Sequence, residues 1–118
     1  MTTPLTACLL LTEDRELAER LSRALADLAD LRTPPSPSLW NGGAEAAVLR
    51  MLDLRHPEAN QALADLDPDS RSGLIALGVP RSEPFLASAD AGVFAVAALD
   101  TPAARLRTLV RPPLRLQQ

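Results

Sequence analysis

The chain has 118 residues, of which twelve are arginine and none is lysine, and its formal net charge is −3. That length suits one domain and not two, and 47% hydrophobic with 23% charged residues is the composition of an ordinary folded core, not of a disordered tail. The missing lysine removes Schiff-base, Walker-lysine and lysine-clamp chemistry, and the negative charge leaves no basic field to hold nucleic acid.

The single cysteine, Cys8, rules out a disulfide framework and a Cys-rich zinc site. It lies in an apolar run and reads as a small buried hydrophobe. Met1-Thr2-Thr3-Pro4 has no basic stretch followed by an apolar one, so it is not a signal peptide. No apolar run reaches the ~18 residues of a membrane span. The expectation is a soluble, cytoplasmic domain without direct nucleic-acid or membrane contact.

Thr6–Leu11 is apolar on both faces, as a central parallel strand is. Thr12 is a candidate N-cap, with Glu13 and Asp14 placing negative charge in the first turn of the next element. Leu17, Ala18, Leu21, Ala24, Leu25, Leu28 and Leu31 recur at three- and four-residue steps, which predicts an amphipathic helix from Arg15 to Leu31. Pro34, Pro35 and Pro37 then forbid a helix through the segment, leaving Leu31–Thr33 as a short edge strand. Asn41-Gly42-Gly43 reads as a turn. Ala44–Leu54 is ambiguous: its first half looks helical, while Val48–Leu52 suits a strand. Trp40, the only tryptophan, is a lid over the core edge or, less favoured, an exposed anchor for a partner.

Glu58–Leu66 carries Ala59, Ala62, Leu63 and Leu66 on one helical face, and Asp67–Ser70 is a loop. Asp65, Asp67 and Asp69 alternate like a calcium loop but lack its glycine and distal glutamate. Gly73–Val79 is a second two-faced strand, stopped by Pro80. Ser82 caps a further helix that ends at Gly92. Val93–Leu99 is a third clear strand, and Ala103–Val110 a last helix. Arg105, Arg107 and Arg111 on that helix suit its terminal dipole or an acidic partner. Pro112 and Pro113 prevent the helix from continuing unbroken. The expected organisation is a folded unit over 1–111 and a Pro-rich linker or tail over 112–118, joined to a further output domain.

Strands alternating with helices imply a doubly wound parallel α/β sheet whose functional groups gather beyond the carboxyl ends of the strands. Those ends hold Thr12-Glu13, Asp53, Gly78 and Leu99-Asp100.

Three stretches carry a family resemblance. They are Leu9-Leu10-Leu11-Thr12-Glu13-Asp14, Leu52-Asp53-Leu54-Arg55-His56-Pro57 and Ala91-Gly92-Val93, in that order along residues 5–111. Together they resemble the receiver domain of bacterial two-component response regulators, the CheY-like family. The resemblance implies a five-stranded, three-layer flavodoxin-like sandwich and makes 48–53 a strand. The segment before Asp53 is short and rich in proline and glycine, so the second helix is expected to be rudimentary or absent.

By that resemblance Asp53 is the phosphoacceptor, and Mg²⁺ would be held by Glu13, Asp53 and the backbone carbonyl of Arg55. The metal site is degraded, because Thr12 stands where the family has its first acidic residue. Gly78 offers no hydroxyl at the fourth strand, and Leu99-Asp100 replaces the lysine at the end of the fifth. Phe94 or Ala95 matches the aromatic switch position, with Phe94 more readily a core residue. The implied function is a degenerate pseudo-receiver, a non-enzymatic interaction module using the 82–110 face for an output domain, a protein partner or a homodimer. The alternative is a response regulator phosphorylated on Asp53 by a histidine kinase with Mg²⁺. A third reading, a small α/β enzyme, would need Cys8, Asp53 or a serine as nucleophile and His56 as base, oriented by Glu58.

Overall fold

A computed structural model describes residues 6–42, 49–66, 71 and 73–115. Strands and helices alternate: β1 (Thr6–Leu11), α1 (Arg15–Ala24), β2 (Ala29–Arg32), α2 (Pro37–Gly42), β3 (Leu49–Asp53), α3 (Ala59–Asp65), β4 (Leu74–Gly78), α4 (Glu83–Ala89), β5 (Ala95–Ala98) and α5 (Ala103–Arg115). All strand pairs are parallel, in the order β2-β1-β3-β4-β5. The chain thus runs from β1 out to one edge and returns to continue on the other side. That reversal opens a crevice beyond the carboxyl ends of β1 and β3.

Alternation along the strands builds two cores. Cys8 and Leu10 of β1, Met51 of β3 and Leu77 of β4 face α1 (Leu17, Leu21) and α5 (Leu106, Val110). Leu11, Leu52 and Ala76 face the other way, where Trp40 of α2, Ala59 and Ala62 of α3 and, partly buried, Phe85 of α4 pack. The result is a three-layer doubly wound α/β sandwich with a short second helix, as the resemblance implies. No described helix is long and apolar enough to cross a membrane. Cys8 is fully enclosed, and burial pushes its thiol up to about 12. It is therefore an inert packing residue.

Several boundaries differ from the sequence reading. The leucine periodicity overruns α1, which stops at Ala24. Leu25 to Leu28 form a tight turn, closed by Leu28 N–H and Ala29 N–H to the Leu25 carbonyl at 2.8 and 2.9 Å. Leu25 and Leu28 keep the three-residue step through this turn and still reach the core, so periodicity alone could not mark the helix end. Leu31 lies in β2, not in the helix.

Pro37 opens α2, where a missing N–H costs nothing, and the helix takes up Asn41 and Gly42, which had read as a turn. Trp40 is fully buried. Its indole N–H lies 3.0 Å from the Leu9 carbonyl and 3.1 Å from that of Met51. Arg50, buried in β3, returns from the sheet to the Trp40 carbonyl at 3.1 Å.

Gly92 has φ 80° but lies beyond Asp90, the C-cap of α4, so the helix ends earlier than expected. Phe94 is 38% exposed and precedes β5. It is not a core residue, because β5 is the outermost strand and begins only at Ala95. The last helix runs on to Arg115 through Pro112 and Pro113. Proline's fixed φ is compatible with helical backbone, although each proline removes an N–H bond and crowds the carbonyl four residues earlier. Arg107 lies within α5 and not in its last turn. Its Nη1 donates to the Ala24 carbonyl at 3.1 Å and its Nη2 to Asp27 at 2.9 Å, tying α5 to the end of α1. The readings of Ala44–Val48 and of Asp67–Ser70 fall outside the described residues.

Candidate functional site

Asp53 closes β3 and is 2% exposed. It sits on the crevice because β3 is paired with β1 and β4 along its length and ends there, opposite Leu77. Both carboxylate oxygens are engaged. Oδ1 accepts the Arg55 backbone N–H at 2.9 Å and its Nε at 3.1 Å. Oδ2 accepts the Thr12 hydroxyl at 2.6 Å and Arg55 Nη2 at 3.0 Å. An ionised carboxylate offers about four lone-pair positions, and here four donors fill them.

The arrangement closes on itself. The same Arg55 Nη2 donates to Asp14 Oδ2 at 2.9 Å. Asp14 Oδ1 accepts the Leu17 N–H at 3.1 Å and so caps α1, and the Asp14 N–H donates to the Thr12 hydroxyl at 3.0 Å. Asp53, Thr12, Asp14 and Arg55 thus form a ring joining the end of β3 to the start of α1. The cap of α1 is Asp14, not Thr12. The helix starts at Arg15, so Thr12 lies too early to be its N-cap, and its oxygen accepts the Asp14 N–H instead of one inside the helix.

Burial is the largest influence on Asp53 and pushes its carboxyl up. The hydrogen bonds from Arg55 and Thr12 outweigh it, and the group titrates below its ordinary value. Hydrogen bonding to Arg55 and then to the Leu17 N–H lowers Asp14 as well. Arg55 is raised, first by Asp53 and then by Asp14.

Glu13 is exposed and lines a depression of about 240 Å³ with Asp14, Asp53, Arg55 and His56. The expected acidic pair, Glu13 and Asp53, therefore shares one wall. A Mg²⁺ ion wants near-octahedral oxygen ligation. Thr12 is neutral, Asp14 is held by Arg55, and the lone pairs of Asp53 are taken. Among the described residues no group of three or more His, Cys, Asp or Glu side chains could hold a metal ion. As placed, the residues do not fit a divalent cation. Arg55, expected to supply only a carbonyl, supplies its guanidinium instead. The Asp-x-Arg step just past a strand permits this arrangement without marking it in the sequence.

His56 also lines this depression, and its Nδ1 accepts the Glu58 N–H at 3.1 Å. An accepting Nδ1 puts the proton of the neutral ring on Nε2. Neither nitrogen is then free to act as a base, and Cys8 lies buried mid-strand in β1. Of the nucleophiles that the enzyme reading offers, Cys8 is thus out of reach, while Asp53 shares the depression with its carboxylate held by Arg55 and Thr12.

The β4 and β5 side of the crevice is built differently. Gly78 ends β4, and a Cβ added there would lie 2.8 Å from Leu54 Cδ1 and 3.3 Å from Leu54 Cβ. Leu54 is buried and extends the ladder past Asp53, with its N–H 2.8 Å from the Leu77 carbonyl. Leu99 follows β5, held by its N–H to the Gly78 carbonyl at 3.1 Å, and Asp100 beside it is exposed. Arg20 of α1 reaches across and donates to the Leu99 carbonyl. Arg20, Arg23 and Arg55 line an open cleft of about 540 Å³ with Leu99 and Asp100.

No protein-family model and no curated protein sequence matches the chain. Solved structures do. The chain is similar to the BeF3-activated DrrB receiver domain, with TM-score 0.77 at 17% identity over 94% of this chain and 98% of that one. Another is a response regulator receiver domain protein from Clostridium thermocellum, with TM-score 0.79 at 12% identity over 96% and 97%. A third is the BeF3-activated N-terminal receiver domain of Klebsiella pneumoniae RstA, with TM-score 0.76 at 20% identity over 92% and 98%. At these identities the likeness is one of fold, and the fold is that of response regulator receiver domains.

Proposed function

We propose that the chain is a pseudo-receiver: a regulatory protein–protein interaction module of a two-component-type signalling protein, not an enzyme, with the standard phosphorylation switch lost. One observation carries the reading. Where a receiver's responding hydroxyl and lysine would stand, at the ends of β4 and β5, this chain has Gly78 closed off by Leu54, and Leu99-Asp100. A phosphoryl group on Asp53 would add about 1.5–2 negative charges, and neither Gly78 nor Leu99-Asp100 offers a hydroxyl or a cation to answer them. No lysine exists anywhere in the chain to do so.

The fold then serves as a binding surface in the cytoplasm. The 82–110 face exposes Leu86 at 55% and Phe94 at 38%, which supports a protein partner, an output domain or a second copy there. The likeness to receiver domains puts a histidine kinase among the partners to test. Residues 1–111 form the receiver-like unit, and its last helix continues past that boundary to Arg115.

Incubation with acetyl phosphate and Mg²⁺, followed by intact-mass measurement, tests the reading. The expected result is no adduct. A stoichiometric phosphate-mass adduct that disappears in Asp53→Asn would establish the other reading, a phosphorylatable response regulator. Light scattering at high concentration checks the homodimer, which a strictly monomeric mass excludes.

A further inference from the structure

The mismatch between the Asp53 site and a divalent cation leads one step further. We propose that the Arg55 guanidinium is a tethered counter-ion that stands where a divalent cation would otherwise bridge Asp14 and Asp53, so that this end of the sheet is held together without metal. The proposal rests on the receiver reading only for the identity of the ion replaced.

Geometry supports the substitution. A bridging cation must neutralise carboxylates from two loops at once, and Arg55 Nη2 does so at 3.0 Å from Asp53 and 2.9 Å from Asp14. Nε and Nη2 together grip both oxygens of Asp53, the fork geometry that guanidinium and carboxylate share. The tether is short: Arg55 stands two residues after Asp53, and its own backbone N–H binds the same Oδ1. A cation fixed to the chain gives up no translational freedom on binding, whereas a free ion must do so and must also shed tightly held water.

Exposure shows where the competition takes place. The Arg55 side chain is 44% exposed over an Asp53 side chain 2% exposed. The guanidinium is therefore the outer cover of that carboxylate. Arginine also stays charged across the whole physiological range, so the cover does not come and go with pH.

The charges do not fully cancel. Arg55 brings one positive charge to the two carboxylates of Asp14 and Asp53, and Glu13 stays free at the rim. A divalent ion would therefore find an attractive site once the guanidinium is gone.

The test follows thermal unfolding of the full chain by the fluorescence of Trp40, in MgCl2 against NaCl of equal ionic strength. Wild type is expected to show no Mg²⁺-specific rise in Tm. Arg55→Met is expected to melt lower and to regain most of that loss in millimolar Mg²⁺, and Arg55→Met with Asp53→Asn to regain none. A Mg²⁺-specific rise in the wild type, or an Arg55→Met protein indifferent to Mg²⁺, overturns the proposal. Should Arg55→Met not fold, Mn²⁺ added to the wild type decides. Unbroadened amide resonances at Thr12–Asp14 and Asp53–Arg55 support the tethered ion, and selective broadening there ends it. The phosphodonor experiment is separate: an adduct on Asp53 would remove the pseudo-receiver reading without deciding whether the wild type binds Mg²⁺.

Discussion

The two halves of the sheet's carboxyl end are built in opposite ways. On the β1–β3 half charged groups meet, and Arg55 closes a ring through Asp53, Thr12 and Asp14. On the β4–β5 half groups are missing: Gly78 has no side chain, and Leu99 is met by Arg20 only at its backbone carbonyl. Adjacent residues link the two halves. Leu54 turns towards Gly78 and Arg55 turns towards Asp53, so one short segment after β3 fills both places. Each half makes the other tolerable. Arg55 already engages both oxygens of Asp53, and with Leu54 packed on β4 a hydroxyl at position 78 would be crowded.

The sharpest way to break the charged half is Arg55→Met, which keeps the apolar stem and removes the charge. Surface ion pairs contribute about 0–1 kcal/mol, and stripping the partner from a buried charge costs about 3–5. This pair has one buried and one half-exposed member, so a loss of about 3 kcal/mol in urea unfolding is expected. The pH dependence sharpens the result. In the wild type the Asp53 carboxyl titrates below its unfolded value, so its contribution is present above about pH 4 and is lost as pH falls through the lower folded value. Without Arg55 the effect of burial is less opposed, and the acid loss should begin at a higher pH. An unchanged acid transition in Arg55→Met would mean the guanidinium does not govern that carboxylate.

The bare half is probed by Gly78→Ser, which restores a hydroxyl. Its Cβ would meet Leu54 Cδ1 at 2.8 Å, and overpacking of this kind costs about 1–3 kcal/mol. Because the clash is with the far end of a flexible side chain, Leu54→Ala in the same chain should remove the penalty that Gly78→Ser adds on its own. A single Gly78→Ser protein as stable as the wild type would show that the space is not closed.

How much of this was legible in the sequence depends on the kind of signal. The strands were readable because runs such as Thr6–Leu11 and Leu74–Val79 are apolar on both faces, which only a sheet covered by helices on each side requires. The resemblance to a receiver marks Asp53 as a candidate acceptor and Gly78, Leu99 and Asp100 as positions without a hydroxyl or a cation. The end of α1 was not readable, since Leu25 and Leu28 keep helical spacing through a turn. The role of Arg55 was not readable either. A side chain two residues past a strand can point to solvent or fold back, and only the position of Asp14 at the head of α1 makes folding back worthwhile. The contrast between Glu13 and Asp14 has the same origin. The sequence places both in one acidic turn, and capping geometry alone decides which of them meets Arg55.

Thr12→Val is a milder break in the ring, because the shape stays and the hydroxyl goes. The Thr12 hydroxyl donates to Asp53 at 2.6 Å and accepts from the Asp14 N–H at 3.0 Å. A hydrogen bond to a charged group is worth about 1.5–3 kcal/mol, and Arg55 remains to hold the carboxylate, so the lower end, about 1.5 kcal/mol, is expected in urea unfolding. A loss as large as that of Arg55→Met would mean that Thr12, and not the guanidinium, is the principal partner of Asp53.

The smallest effect is expected from Arg20→Gln. Arg20 is exposed, and its one described bond is to the Leu99 carbonyl. A solvent-accessible contact of this type contributes about 0.5 kcal/mol, since water can replace the donor. The unfolding midpoint should hardly move, and amide shifts should change only near Leu99, Asp100 and Thr101. If the loss reached that of Thr12→Val, Arg20 would be a structural cation for the β5 end, and the two halves would differ in the source of their charge, not in its presence. A small effect instead leaves Arg55 as the guanidinium that holds this end of the sheet, and it makes the bare half bare in energy as well as in side chains.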